Sequence, residues 1–228
     1  MAWHVGIIAA LVLVLGYVLL LHWQVVRRER VLAHSDGLTG VDNRRTFYEI
    51  AGREFERSRR YGHAFTLAFF DVDDFKEVNE RFGPHAGDGI LRLVAETTRR
   101  SIRVSDVLAR LGSDEFALLL PETQTAAAHA VVEKLRAALR DASCDTALPL
   151  TISGGVVTCL QPAESLEHTI GSADRLLYDA KQAGRDKFAY EVVMPQPLEG
   201  FEPARFRRPH RLPPSFDAPL PPLSGPRR

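Results

Sequence analysis

From Val5 to Leu21 the chain is an almost unbroken apolar run, and no fixed charge appears before Arg27. A run of about 20 such residues spans a bilayer as a helix, so residues 5–26 are expected to form one transmembrane helix. Residues 27–35 would continue it as a short helical stem, too short for a coiled coil. Beyond Asp36 the rhythm alternates. Arg44–Tyr61 has helical spacing, and Phe65–Asp71 is an apolar run of strand length that ends in carboxylates. Asp74–Phe82 and His85–Ser101 read as helices separated by Gly83-Pro84, with Pro84 suited to a first helical turn. Asp106–Leu111 and Phe116–Leu120 flank a glycine-containing break and predict a hairpin. Thr125–Asp141 is an alanine-rich amphipathic helix, Leu148–Cys159 a strand, Ser165–Ala183 a helix and Lys187–Val193 a last strand. The order β-α-α-β-β-α-β-α-β implies an α+β domain over 36–193, with a mainly antiparallel sheet flanked by helices.

Composition changes this picture at both ends. Residues 194–228 carry ten of the chain's 14 prolines, including Leu212-Pro-Pro and Pro219-Leu-Pro-Pro. Such a tail cannot bury enough apolar surface to fold, and reads as a solvated or partner-binding disordered segment. At the other end, Trp3 and Trp23 bracket the apolar run, and Arg27, Arg28 and Arg30 follow it. The positive-inside rule then puts the N-terminus outside and the domain in the cytoplasm. A cleaved signal peptide would need basic residues before the run and a small-residue cleavage site after it, and neither is present. The formal net charge of +0 gives no argument for nucleic-acid binding. Cys144 and Cys159 have neither metal-ligand nor CxxC spacing and read as reduced, incidental thiols.

The chemistry concentrates at two places. Asp71 and Asp73 share one face of the strand that they close. Asp114 and Glu115 sit at the hairpin break beside Gly112 and Ser113. Carboxylates on two adjacent chain ends can hold magnesium together with substrate phosphates. Asp73 and Asp74 have a simpler reading as N-caps of the next helix, whereas Asp71, at the end of an apolar strand, does not.

The segment Arg110-Leu-Gly-Ser-Asp-Glu-Phe116 resembles the GGDEF motif of diguanylate cyclases. Other segments follow in that family's order: Asp36-Gly-Leu-Thr-Gly-Val-Asp-Asn-Arg-Arg45, Phe70-Asp-Val-Asp-Asp-Phe-Lys-Glu-Val-Asn79, Gly87-Asp88, Thr151-Ile-Ser-Gly-Gly155, Ala173-Asp174, Tyr178-Asp-Ala-Lys181 and Gly184-Arg185. The resemblance implies a nucleotide-cyclase or polymerase-palm-like (ferredoxin-like) fold that binds one GTP. It also implies a homodimer in which two bound GTP are joined into cyclic di-GMP, beneath a bacterial inner membrane. Asp71, Asp114 and the Val72 carbonyl would hold magnesium or manganese, and Glu115 would activate the attacking hydroxyl. Asn79 and Asp88 would read the guanine edge, Lys76, Lys181 and Arg185 would hold the terminal phosphates, and Gly112 and Ser113 would lie against the nucleotide. Arg103-Val-Ser-Asp106 resembles the family's RxxD product-inhibition site; a surface ion pair is the alternative.

Three positions depart from the family pattern. Pro84 stands where histidine is usual, and Glu80 where aspartate is. Ser113 replaces the motif's second glycine. A positive φ there would cost a serine about 1–2 kcal/mol, and its Cβ would crowd an approaching phosphate. Three functions therefore compete: a membrane-anchored cyclase, a catalytically degenerate receptor for cyclic di-GMP or GTP, and a scaffold acting through the proline-rich tail.

Overall fold

The computed structural model describes residues 16–17, 34–144, 150–161 and 165–194. All of the expected membrane helix except residues 16–17, most of the stem and the tail beyond Met194 lie outside them. Among the described residues, no helix is long and apolar enough to cross a membrane.

Among the described residues six strands, β1 (Asp42–Asn43), β2 (Phe65–Val72), β3 (Val107–Arg110), β4 (Glu115–Pro121), β5 (Ile152–Cys159) and β6 (Phe188–Val193), form one sheet in the order β1-β3-β4-β2-β5-β6. The central pairs β3/β4, β4/β2 and β2/β5 are antiparallel, and the outer pairs β1/β3 and β5/β6 are parallel. The sheet is thus mixed with an antiparallel centre. The two-residue β1 has no hydrophobic pattern to announce it and exists through its pairing with Ala109 and Arg110.

Both faces of the sheet are covered, which is why β2 and β5 are buried along their whole length rather than alternating. On one face α2 (Phe75–Phe82), α3 (Pro84–Ser101) and α4 (Thr125–Cys144) bury Val78, Leu91, Val94, Leu135 and Leu139 against Phe70, Phe116 and Leu118. On the other, α1 (Arg44–Tyr61) and α5 (Leu166–Gln182) pack Phe47, Phe55 and Ala173 against Phe65, Leu67 and Leu119. Cys159 is a free buried thiol on this second face.

The caps explain where the helices begin. Asn43 accepts from Thr46 N at 3.0 Å to open α1, and Ser165 accepts from His168 N at 3.1 Å to open α5. Pro84 occupies the first turn of α3, where its missing N–H costs nothing. Asp74 stands at the N-cap of α2, but its side chain makes no capping bond; it pairs instead with Arg185 Nε at 3.1 Å. Asp73 is not a cap either. Its buried carboxylate accepts from Ser153 Oγ at 2.7 Å, Thr151 Oγ1 at 2.8 Å and Asp186 N at 3.0 Å.

Candidate active site

The antiparallel register of β2 and β4 sets Asp71 directly opposite Glu115, and the Val72 N–H donates to the Asp114 carbonyl at 3.2 Å. The two acidic segments separated in sequence therefore close one corner of the sheet. Asp71 is 5% exposed and lies on the α1/α5 face, with Oδ2 held by Lys181 Nζ from the last turn of α5. Its Oδ1 is buried without a hydrogen-bond partner. Burial pushes the Asp71 carboxyl above its usual pKa; Lys181 opposes that rise, and the charges of Asp114 and Glu115 add to it. A buried, unpartnered carboxylate oxygen facing two more carboxylates is an unfavourable arrangement in isolation, and a divalent cation resolves it. Among the described residues no three His, Cys, Asp or Glu side chains form a closed metal cage. The donor set fits magnesium, which takes one or two carboxylates and completes its shell with water and substrate phosphate.

The hairpin is braced from behind. Arg110 donates to both oxygens of Asp36, at 3.1 and 3.3 Å, and to the Ser113 carbonyl at 2.7 Å. Burial works to raise the Asp36 pKa, but hydrogen bonds from Thr39 and Arg110 outweigh it and hold the carboxyl below its usual range. A Cβ at Gly112 would come within 2.6 Å of Glu115 Oε2, so a side chain there would displace that carboxylate. Ser113 is not among the residues with positive φ. The backbone strain expected of a serine at this position is therefore absent, and its Oγ donates to Asp114 Oδ1.

Asn79 on α2 packs against Gly87 on α3, the residue before Asp88. A Cβ on Gly87 would lie 2.0 Å from Asn79 Oδ1, so the amide fits only against a glycine. Both helices lie on the face of the sheet opposite the Asp71 side chain. Lys76 is exposed and 3.7 Å from Glu80. Arg185 reaches the start of α2 through its pair with Asp74.

The family model for "Diguanylate cyclase, GGDEF domain" matches residues 33–187. The chain belongs to this family. DgcP, a diguanylate cyclase of Pseudomonas aeruginosa, is 39% identical over 164 residues, covering 70% of this chain and 24% of that protein. The chain spans 20–45% of the lengths of the first curated relatives it matches. Among solved structures, the coiled coil and GGDEF domain of DgcB from Caulobacter crescentus, in complex with c-di-GMP, superposes with a TM-score of 0.70 at 26% identity. It covers 80% of this chain and 98% of that one. Diguanylate cyclase SiaD of P. aeruginosa, in complex with its activator SiaC, gives 0.64 at 34% identity, over 78% of this chain and 70% of that one.

In this GGDEF domain, Arg103 and Asp106 lie at the far end of β3 from the hairpin. The Asp106 carboxylate accepts from the Arg103 backbone N–H at 2.8 Å, and the Asp106 N–H returns to the Arg103 carbonyl at 3.1 Å. The expected alternative, an ion pair between the two side chains, is not what forms. The turn closes on backbone, leaving the exposed Arg103 guanidinium beside a cavity of about 440 Å³ lined also by Asp42, Arg99 and Leu108.

Three residues that carried no role in the sequence reading line a second cavity, of about 240 Å³, which opens onto Asp71 and Glu115: Arg44 and Tyr48 from α1, and Asp174 from α5. Burial and the charge of Glu115 raise the Asp174 pKa, against the pull of Arg44. The Asn-Arg-Arg and Ala-Asp segments gave the only sequence signal of this wall.

Proposed function

We propose that two copies of this domain meet with their acidic corners facing and condense two GTP into one cyclic di-GMP and two pyrophosphates. The observation that carries the reading is Asp71 Oδ1, buried and unpartnered, in a carboxyl that feels the charges of Asp114 and Glu115. In each half-reaction the 3′-oxygen of one GTP bonds to the α-phosphorus of the other, and the bond from that phosphorus to pyrophosphate breaks. Glu115 takes the hydroxyl proton. Asp71, Asp114 and the Val72 carbonyl would hold magnesium or manganese. The bound cation lowers the pKa of the hydroxyl and neutralises charge developing on the phosphate. Asn79 and Asp88 accept from the guanine ring N–H and exocyclic amine, a pattern that adenine lacks. Lys76, Lys181 and Arg185 hold the terminal phosphates, and Lys181, now paired with Asp71, would exchange that carboxylate for phosphate if Asp71 held a cation. Gly112 and Ser113 lie against the nucleotide.

Around this core we assign residues 5–26 to a single membrane helix with the N-terminus outside, 27–35 to a stem, and 194–228 to a disordered tail. The domain then works on the cytoplasmic side of a bacterial inner membrane, with no nucleic-acid partner. Product would bind the free Arg103 guanidinium and slow turnover. The same guanidinium favours a second reading, a receptor that binds cyclic di-GMP without making it.

Glu115→Gln separates the two. On the cyclase reading it keeps GTP binding while turnover falls about 10²–10⁴-fold. Equal product from both proteins, or none from either, rejects the cyclase reading.

A further inference from the structure

Residues 184–186 form a run of three left-handed residues: Gly184 at φ 106°, Arg185 at 58° and Asp186 at 44°. Two of the three are not glycine, so the turn is strained and persists only because its surroundings hold it. On one side the Asp186 N–H donates to Asp73 Oδ2 at 3.0 Å, which ties the turn to the end of β2. On the other, Arg136 from α4 grips both ends of Asp186. Its Nη2 donates to the Asp186 carbonyl at 2.5 Å and to Oδ1 at 3.1 Å. Arg140 Nη2 adds a bond to Oδ2 at 3.3 Å. Arg136 is itself held in place by Glu133 at 3.0 and 3.2 Å, and only 15% of its side chain is exposed.

The consequence lies one residue away. The left-handed backbone at Arg185 directs its guanidinium to Asp74, 3.1 Å off, at the loop that joins the metal strand to α2. With ordinary φ values the chain would leave α5 in another direction.

We propose that Arg136 is a positioning residue for nucleotide binding: it clamps Asp186 and so keeps Arg185 aimed at the terminal phosphates of GTP. This rests on the GTP reading above. It adds that phosphate affinity is set from α4, by a residue that touches no substrate. Asp73 serves the same turn from the opposite side, which accounts for a buried carboxylate that takes no part in the chemistry.

The test is a double-mutant cycle in the full chain, read as the Kd for magnesium–GTP by calorimetry in a Glu115→Gln background, where chemistry is stopped. Arg136→Met and Arg185→Ala each raise Kd about tenfold, a difference of ~1.4 kcal/mol. The double variant is no weaker than Arg185→Ala alone, because the clamp acts only through Arg185. Arg136→Lys, which keeps the charge and one donor direction, recovers part of the affinity. An Arg136→Met effect under about twofold, or single effects that multiply to about a hundredfold, overturns the clamp. Should Arg136→Met not fold, Arg140→Met carries the same cycle with an expected rise of about two- to threefold. A parent that binds no GTP overturns the GTP reading, and the clamp's purpose with it. A parent that binds GTP while Arg185→Ala changes nothing overturns the clamp alone.

Discussion

Replacing Asp71 by asparagine should stabilise the metal-free protein while destroying its response to magnesium. Asp71 Oδ1 is a buried acceptor without a partner; asparagine keeps a polar atom there but removes the buried negative charge beside Asp114 and Glu115, a relief of about 1–3 kcal/mol. The substitution also loses the ion pair to Lys181, whose side chain is 32% exposed. The asparagine oxygen still accepts from the partly hydrated Lys181, so the loss is ~1 kcal/mol although the Asp71 side of the pair is buried. The net gain is about 1 kcal/mol, or ~2–4 °C in melting temperature for a domain of this size. The pH dependence follows from the raised pKa. The folded protein holds the Asp71 proton more tightly than the unfolded chain does, so the wild type loses stability as pH rises from the ordinary value of 3.8 through the raised folded value. The asparagine variant's advantage is therefore full at neutral pH and vanishes below the ordinary carboxylate range. Magnesium reverses the ranking: at a hundred times its Kd it stabilises the wild type by ~2.7 kcal/mol and leaves the variant where it was. Thermal melts with chelator and with magnesium, at neutral and acid pH, read all three effects. An Asp71→Asn protein that melts below the wild type in chelator at pH 7, or one that magnesium stabilises equally, refutes the reasoning.

Two further substitutions probe the corner. Gly87→Ala puts a Cβ 2.0 Å from Asn79 Oδ1. The amide can rotate away, so melting shifts by ~1 kcal/mol or less while GTP affinity falls about tenfold; unchanged affinity in a binding titration would mean that Asn79 does not read guanine. Ser113→Gly relieves no left-handed strain and adds freedom to the unfolded chain. It should lower stability by about 0.4–1 kcal/mol and leave turnover within ~3-fold. A tenfold rise in product formation would show that the serine obstructs the site by bulk.

The acidic corner was legible in sequence because its signals are local. An apolar strand that ends in Asp71 and a glycine break followed by Asp114 and Glu115 each announce themselves within a few residues, and the β2/β4 register does the rest. Asn79 and Asp88 stood out only through the family resemblance, and the close contact of Asn79 with Gly87 is a tertiary feature that no local pattern gives. Other features depend on partners far along the chain. Asp73 looked like a helix cap, and its bond to Asp186 spans 113 residues. The Arg136 grip on Asp186 spans 50. No periodicity encodes either one. Ser113 left two readings open in sequence, since a motif glycine can serve room or φ; its backbone is not left-handed, and room beside a phosphate is what Ser113→Gly tests. Here a side chain at Gly112 would displace the Glu115 carboxylate, and Ser113 sits in backbone that any residue can adopt.

The central claim is that this corner turns over as well as binds. The measurement is direct: incubate the purified full chain with GTP and magnesium, and quantify nucleotide and pyrophosphate together. The account predicts cyclic di-GMP and pyrophosphate in a ratio of one to two, abolished by Asp71→Asn. Dimeric protein that binds GTP and magnesium yet releases neither product would contradict it.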